Sequence, residues 1–174
     1  MNNLIDRMLR AARLDVEVYE EVEADTRATG QAMLVVVLSS VAAGVGMIAA
    51  SGGVGLVATT VFALIAWYVW ALLTYWIGTR LLPEAQTRSD VGELLRTTGF
   101  SSAPGIIRIA GIVPGLMKPV FLVAGLWMLV TMIVAVRQAL DYRSTARAVG
   151  VCAIGWAIQA GLLVFLFSLF NVAD

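Results

Sequence analysis

Residues Pro119 to Leu140 read PVFLVAGLWMLVTMIVAVRQAL. A proline opens the run, where its missing N–H would have no helical partner in any case. About eighteen apolar or uncharged residues then pass before Arg137, enough helix to cross a hydrocarbon core roughly 30 Å thick. The chain repeats this pattern at about 32–50, 54–77 and 148–170. Of its 174 residues, 60% are hydrophobic and 14% charged, against about 45–50% and 25% in a soluble domain. Most of the surface must therefore meet lipid, and the fold class is an all-α integral membrane protein.

The number of spans turns on one awkward stretch. Phe100 to Pro114 is apolar but short, and it holds Pro104, Gly105, Arg108 and Gly111. It reads either as a re-entrant segment or as a third span that starts near Leu94 and bends at Pro104. Charge decides between them. With five spans and a cytoplasmic N-terminus, Arg7, Arg10, Arg13, Arg27, Arg80, Arg88, Arg96, Arg137, Arg143 and Arg147 lie inside and only Lys118 outside. Four spans would strand Arg137, Arg143 and Arg147 outside, against the positive-inside rule. The prediction is one membrane domain over 1–174 with five spans, at about 32–50, 54–77, 94–113, 119–140 and 148–170. Its C-terminus then lies on the side opposite the N-terminus.

Before the first span, residues 3–27 read as an amphipathic helix on the membrane surface. Leu4, Ile5, Met8, Leu9, Ala12, Val16 and Tyr19 recur at spacings of three and four on one face. Arg7, Arg10 and Arg13 line the polar face, where they can reach lipid phosphates, and so imply a preference for anionic lipids. Asp15, Glu17, Glu20, Glu21, Glu23 and Asp25 follow as an acidic block, either a solvated face or a docking surface for a basic partner. These thirty residues lack a continuous apolar stretch, so no cleavable signal peptide is expected.

Within the spans, Ala42, Gly46 and Ala50 form a small-xxx-small stripe, for packing inside the bundle or for dimerisation. Arg108 is the single intramembrane charge. It can snorkel to the outer interface, pair with Gln159 or a backbone carbonyl, or line a polar path. Trp67, Tyr68 and Trp70 read as packing residues, with a pigment or quinone contact as the alternative, and Tyr75 and Trp76 as an interfacial belt. In the polar middle, Thr87 or Ser89 can cap a short helix, Thr87-x-x-Asp90 having the capping-box form. Asp141 stands four residues from Arg137 and can bridge it. Cys152 sits in an apolar run and reads as a packed thiol. Phe165, Phe167 and Phe170 face lipid or a partner.

Three stretches together resemble the YIP family of Ypt/Rab-interacting membrane proteins, in its bacterial form. They are the acidic Tyr19-Glu20-Glu21-Val22-Glu23-Ala24-Asp25, the Leu95–Pro104 stretch LRTTGFSSAP, and Trp127 to Arg137 followed by Arg147-Ala148-Val149-Gly150. The resemblance implies five spans with a cytoplasmic N-terminus, and no catalysis. Eukaryotic members carry Asp-Leu-Tyr-Gly-Pro before the first span, linked to Rab partners. Here Tyr19-Glu20-Glu21 lacks the Gly-Pro, so GTPase binding is not carried over.

Function is bounded more by exclusion. The chain has no histidine and one cysteine, which removes a Ser/His/Asp triad, a Cys/His metal cluster and an internal disulfide. No cofactor, metal or nucleic acid is expected. The leading reading is a non-catalytic multi-pass protein of the cell (inner or plasma) membrane. It would serve as an accessory or assembly subunit of a larger membrane complex, or as a membrane organiser, contacting lipids and either that complex or further copies of itself. The alternative is an oligomeric transporter or channel component with a polar path through Arg108, Gln159 and Thr131.

Overall fold

The structure is a computed structural model. It describes the backbone of residues 4–48 and 56–171, and the side chains of these except 163, 165–167 and 169–171. Ala50, the Ser51-Gly52-Gly53 turn and the side chains of Phe165, Phe167 and Phe170 thus lie outside the described residues. Everything described in regular structure is helical: α1 Leu4–Ala12, α2 Val16–Ala24, α3 Ala28–Gly46, α4 Leu56–Trp76, α5 Val91–Phe100, a 3₁₀ segment Ala103–Ile112, α6 Met117–Ala139 and α7 Thr145–Asn171. A π-helical turn, Ile77–Leu81, continues α4.

Four helices are long and apolar enough to cross a membrane: Ala28–Gly46, Leu56–Leu81, Met117–Ala139 and Thr145–Leu162. The stretch expected as the third span, about 94–113, is not among them and has a different form. Asp90 accepts a hydrogen bond from the Glu93 N–H while the Glu93 side chain accepts from the Asp90 N–H, a complete capping box that starts α5 at Val91. The box is therefore Asp90-x-x-Glu93, three residues on from the Thr87-x-x-Asp90 of the sequence reading. α5 ends at Phe100, and the chain tightens into 3₁₀ geometry with Pro104 near its start. A 3₁₀ helix rises about 2.0 Å per residue against 1.5 Å for an α-helix. Laid end to end, pieces of these lengths would rise about 35 Å.

This composite element is the axis of the bundle. It packs on α1, α2, α3, α4 and α6, while α3–α4, α4–α7 and α7–α6 contacts carry the wall around it. Its sequence requires that position, since irregular backbone at membrane depth is tolerated only inside protein. Leu94, Thr97, Thr98, Phe100, Ser101, Pro104 and Gly105 are all buried. Two glycines allow the close approach. A Cβ at Gly99 would stand 2.7 Å from the Ala32 Cβ, and one at Gly46 would stand 2.0 Å from the Arg108 carbonyl oxygen. The Thr131 hydroxyl donates to the Ser101 carbonyl at 2.7 Å and ties α6 to the same axis.

One end of the bundle gathers the polar chain. The Tyr142 hydroxyl reaches the carbonyls of Gly78 and Leu82 at 2.9 and 2.8 Å, beside the π-helical turn. Glu84 accepts from the backbone N–H groups of Arg143 and Ser144, and Arg147 lies 3.5 Å from its carboxylate. Asp141 makes no bridge to Arg137. It closes α6 with a left-handed φ of 54°, and Arg137 donates to the Tyr142 carbonyl instead.

Candidate functional site

Two constellations stand out, one on the polar end and one within the bundle. The first is an N-terminal hairpin. The single helix expected over 3–27 is broken: α1 stops at Ala12, Leu14 takes φ 64°, and Asp15 caps α2 by accepting from the Glu17 N–H. α2 therefore folds back and sets its acids against the arginines of α1. Arg7 is 4% exposed. It donates from Nε to Glu21, from Nη1 to Gln31 and from Nη2 to Asp25, each at 2.9 Å. Arg10 donates to Asp15 at 2.7 Å and to Glu21 at 2.8 Å. Of the three arginines that the periodicity directs at lipid head groups, Arg7 and Arg10 thus turn onto the chain's own acids, and Arg13 lies on the surface.

The electrostatics follow. The Arg10 guanidinium holds the Asp15 carboxyl below its ordinary range, and Arg7 does the same for Asp25. Glu23 goes the other way. Burial, reinforced by Glu93, Glu20 and Asp141 and opposed by Arg96, pushes its carboxyl up to about 8. Its Oε2 is buried without a hydrogen-bond partner. Arg96 caps the end of α2, donating from Nε to the carbonyls of Val22 and Glu23 at 2.9 and 3.0 Å, with Nη2 also on Glu23. A cation belongs there, against the negative end of the helix dipole. Tyr19 is fully buried and donates to the Ala11 carbonyl at 3.2 Å.

α1 also packs along the side of the bundle, away from the end of α6. The Trp127 indole N–H donates to the Ala12 carbonyl at 2.7 Å. Trp127 stands twelve residues before the end of α6, or about 18 Å along its axis. An apolar groove of about 450 Å³ between α1 and the bundle is walled by Leu4, Met8, Leu38, Pro104, Ile107 and Trp127. Ile5 and Leu9 border the same groove and remain 62% and 53% exposed.

The second constellation surrounds Arg108. Its Nε donates to the Gly105 carbonyl at 3.0 Å, and Nη2 donates to the Ser39 carbonyl and hydroxyl at 3.0 and 2.7 Å. The Phe121 ring lies 6.0 Å away. Gln159 is partly buried on α7 and is not among its partners; neither is Thr131. Two cavities meet at this side chain. One, of about 360 Å³, runs between α3, α4 and the axis past Ser40, Thr59, Trp67 and Ser102. The other, of about 520 Å³, lies under α6 toward Trp156, and Met128 and Met132 border both. Sequence reasoning singled out Arg108 but had no signal for Ser39, because a serine on an apolar helix has no periodicity of its own.

The small-residue stripe is resolved in part. Ala42 and Gly46 are buried, with Gly46 against Arg108 and Gly111 of the axis, so they serve packing within the chain. Cys152 is buried beside Trp70 and Leu140. Residues 16–167 match the Yip1 domain, a stretch that begins with α2 and leaves α1 outside. Neither the curated proteins nor the solved structures contain a match to the chain.

Proposed function

From the premise that this chain belongs to the Yip1-domain family, and is a multi-pass membrane protein, we propose that it is a non-catalytic organiser of membrane shape, working through helix packing and lipid contacts. The observation that carries this is the N-terminal hairpin. Arg7 and Arg10 are neutralised from within the chain, Ile5 and Leu9 stay exposed at the groove beside the bundle, and the hairpin flanks the bundle to about half the length of α6. An amphipathic helix held at that depth occupies area in one leaflet only. In this reading the α5–3₁₀ axis crosses the membrane as the third of five spans. The hairpin end lies on the cytoplasmic side of the cell membrane, where Arg27 and Arg88 can meet anionic head groups.

The test is sorting by curvature. Full-length protein in giant vesicles should be enriched on tethers pulled from them, relative to the parent membrane. The Ile5→Ser/Leu9→Ser variant, whose changes fall on exposed positions, should show parity. Equal enrichment of the two proteins would defeat the proposal.

A second reading, an accessory or assembly subunit of a larger membrane complex, draws on α4. Only 11% of its membrane window is buried, and Val57, Val61, Phe62 and Ile65 form an outward stripe at helical spacing. A stoichiometric partner retained in native mass spectrometry would favour it.

A further inference from the structure

Arg108 takes a positive charge to a place that no described acid of this chain reaches. The carboxylates lie in residues 6–25, at 84, 90, 93 and 141, and at Asp174 outside the described residues. Among the described residues none comes within ion-pair distance of Arg108. Its hydrogen bonds go to neutral oxygens through Nε and Nη2, and Nη1 has no partner there. A cation at membrane depth is costly unless something answers it. Here the side chain borders two cavities, each within the ~300–1,000 Å³ range of ligand pockets.

The walls say what can enter. The larger cavity is bordered by Leu122, Leu126 and Trp156, which are 65%, 57% and 43% exposed on the outer face of the bundle. It therefore opens sideways, toward acyl chains. Met128 and Met132 give its inner wall the adaptability that suits a flexible chain. At its polar end waits a guanidinium with a free N–H pair, matched to a phosphate oxygen.

We propose that one anionic phospholipid binds here, its phosphate on Arg108 and an acyl chain in the cavity between α6 and α7. The occupant enters laterally from the bilayer, and its phosphate supplies the counter-charge that the chain lacks. This site goes beyond the organiser role. It depends only on the chain residing in a bilayer, so it can fail while the curvature test succeeds, and the reverse.

Native mass spectrometry of the full-length protein in detergent, titrated with phosphatidylglycerol or phosphatidylcholine of equal chain length, tests it. Wild type should retain one phosphatidylglycerol with at least about tenfold preference, the worth of one charge-assisted hydrogen bond. Arg108→Gln should erase the preference. Because that change touches a buried network, Gly125→Leu is the second variant. Gly125 lines the cavity and a Cβ there meets no atom within 4 Å, so a leucine fills the space with Arg108 intact. It should lower phosphatidylglycerol occupancy by a similar factor. Equal binding of the two lipids by wild type, or unchanged occupancy in Gly125→Leu, would overturn the proposal. So would displacement of the lipid by equimolar inorganic phosphate, which would make the site one for a free anion.

Discussion

Replacing Arg7 with glutamine should open the N-terminal hairpin. Arg7 joins α1 to Glu21, Asp25 and Gln31 in one three-way contact, and its own side chain is 5% exposed. Hydrogen bonds to charged partners are worth about 1.5–3 kcal/mol each when lost from a buried site. The acids here are 26% and 34% exposed and rehydrate when released, and Arg10 still holds Glu21, so the sum must be cut back. A net local destabilisation of about 2 kcal/mol is left, or about thirtyfold faster opening-limited exchange. Hydrogen–deuterium exchange of the reconstituted protein reads this directly: amides of 4–24 should speed up, while those of α3 and α6 should hold. An unchanged rate in α1 and α2 would mean that Arg7 does not secure the hairpin.

Other outcomes follow from the same structure. The raised Glu23 carboxyl, about 8 folded against 4.5 ordinarily, means that the folded chain holds an extra proton between those values, so stability falls as pH rises across that window. Glu23→Gln should flatten the profile and raise stability at pH 8 by about 1–2 kcal/mol, after allowance for the group's partial exposure; melting in detergent at pH 5 and pH 8 checks both. Gly46→Ala, whose Cβ would stand 2.0 Å from the Arg108 carbonyl oxygen, should cost about 1–3 kcal/mol. Gly161→Ala, with no atom within 4 Å of its Cβ, serves as the control in the same melting assay. Tyr142→Phe leaves the Gly78 and Leu82 carbonyls without their hydroxyl and should cost about 1 kcal/mol, seen as faster exchange in 77–82.

The long apolar helices were legible in the sequence because length and hydropathy alone mark them, and the match of 16–167 to the Yip1 domain agrees with the resemblance read from Tyr19 to Asp25, Leu95 to Pro104, and Trp127 to Arg137 with Arg147 to Gly150. What escaped notice was local geometry without a composition signal. Leu14 at φ 64° breaks α1 from α2, yet a leucine is an unlikely residue for left-handed backbone and nothing else marks the turn. The 3₁₀ winding of Ala103–Ile112 likewise has no periodicity to distinguish it from a short α-helix. The periodicity directs Arg7 and Arg10 at lipid phosphates, whereas the fold-back of α2 sets them against Glu21 and Asp15. Arg108 was conspicuous as a lone charge, whereas its partners, a serine and two backbone carbonyls, were not.

The depth of α1 tests the central claim most directly. Spin labels at Ile5→Cys and Leu9→Cys, in protein reconstituted into liposomes, report it through their collision rates with oxygen and with a water-soluble nickel chelate. The account predicts frequent oxygen collisions and few chelate collisions at both sites, the signature of acyl-chain depth. Strong chelate access at both would place α1 in water and contradict it.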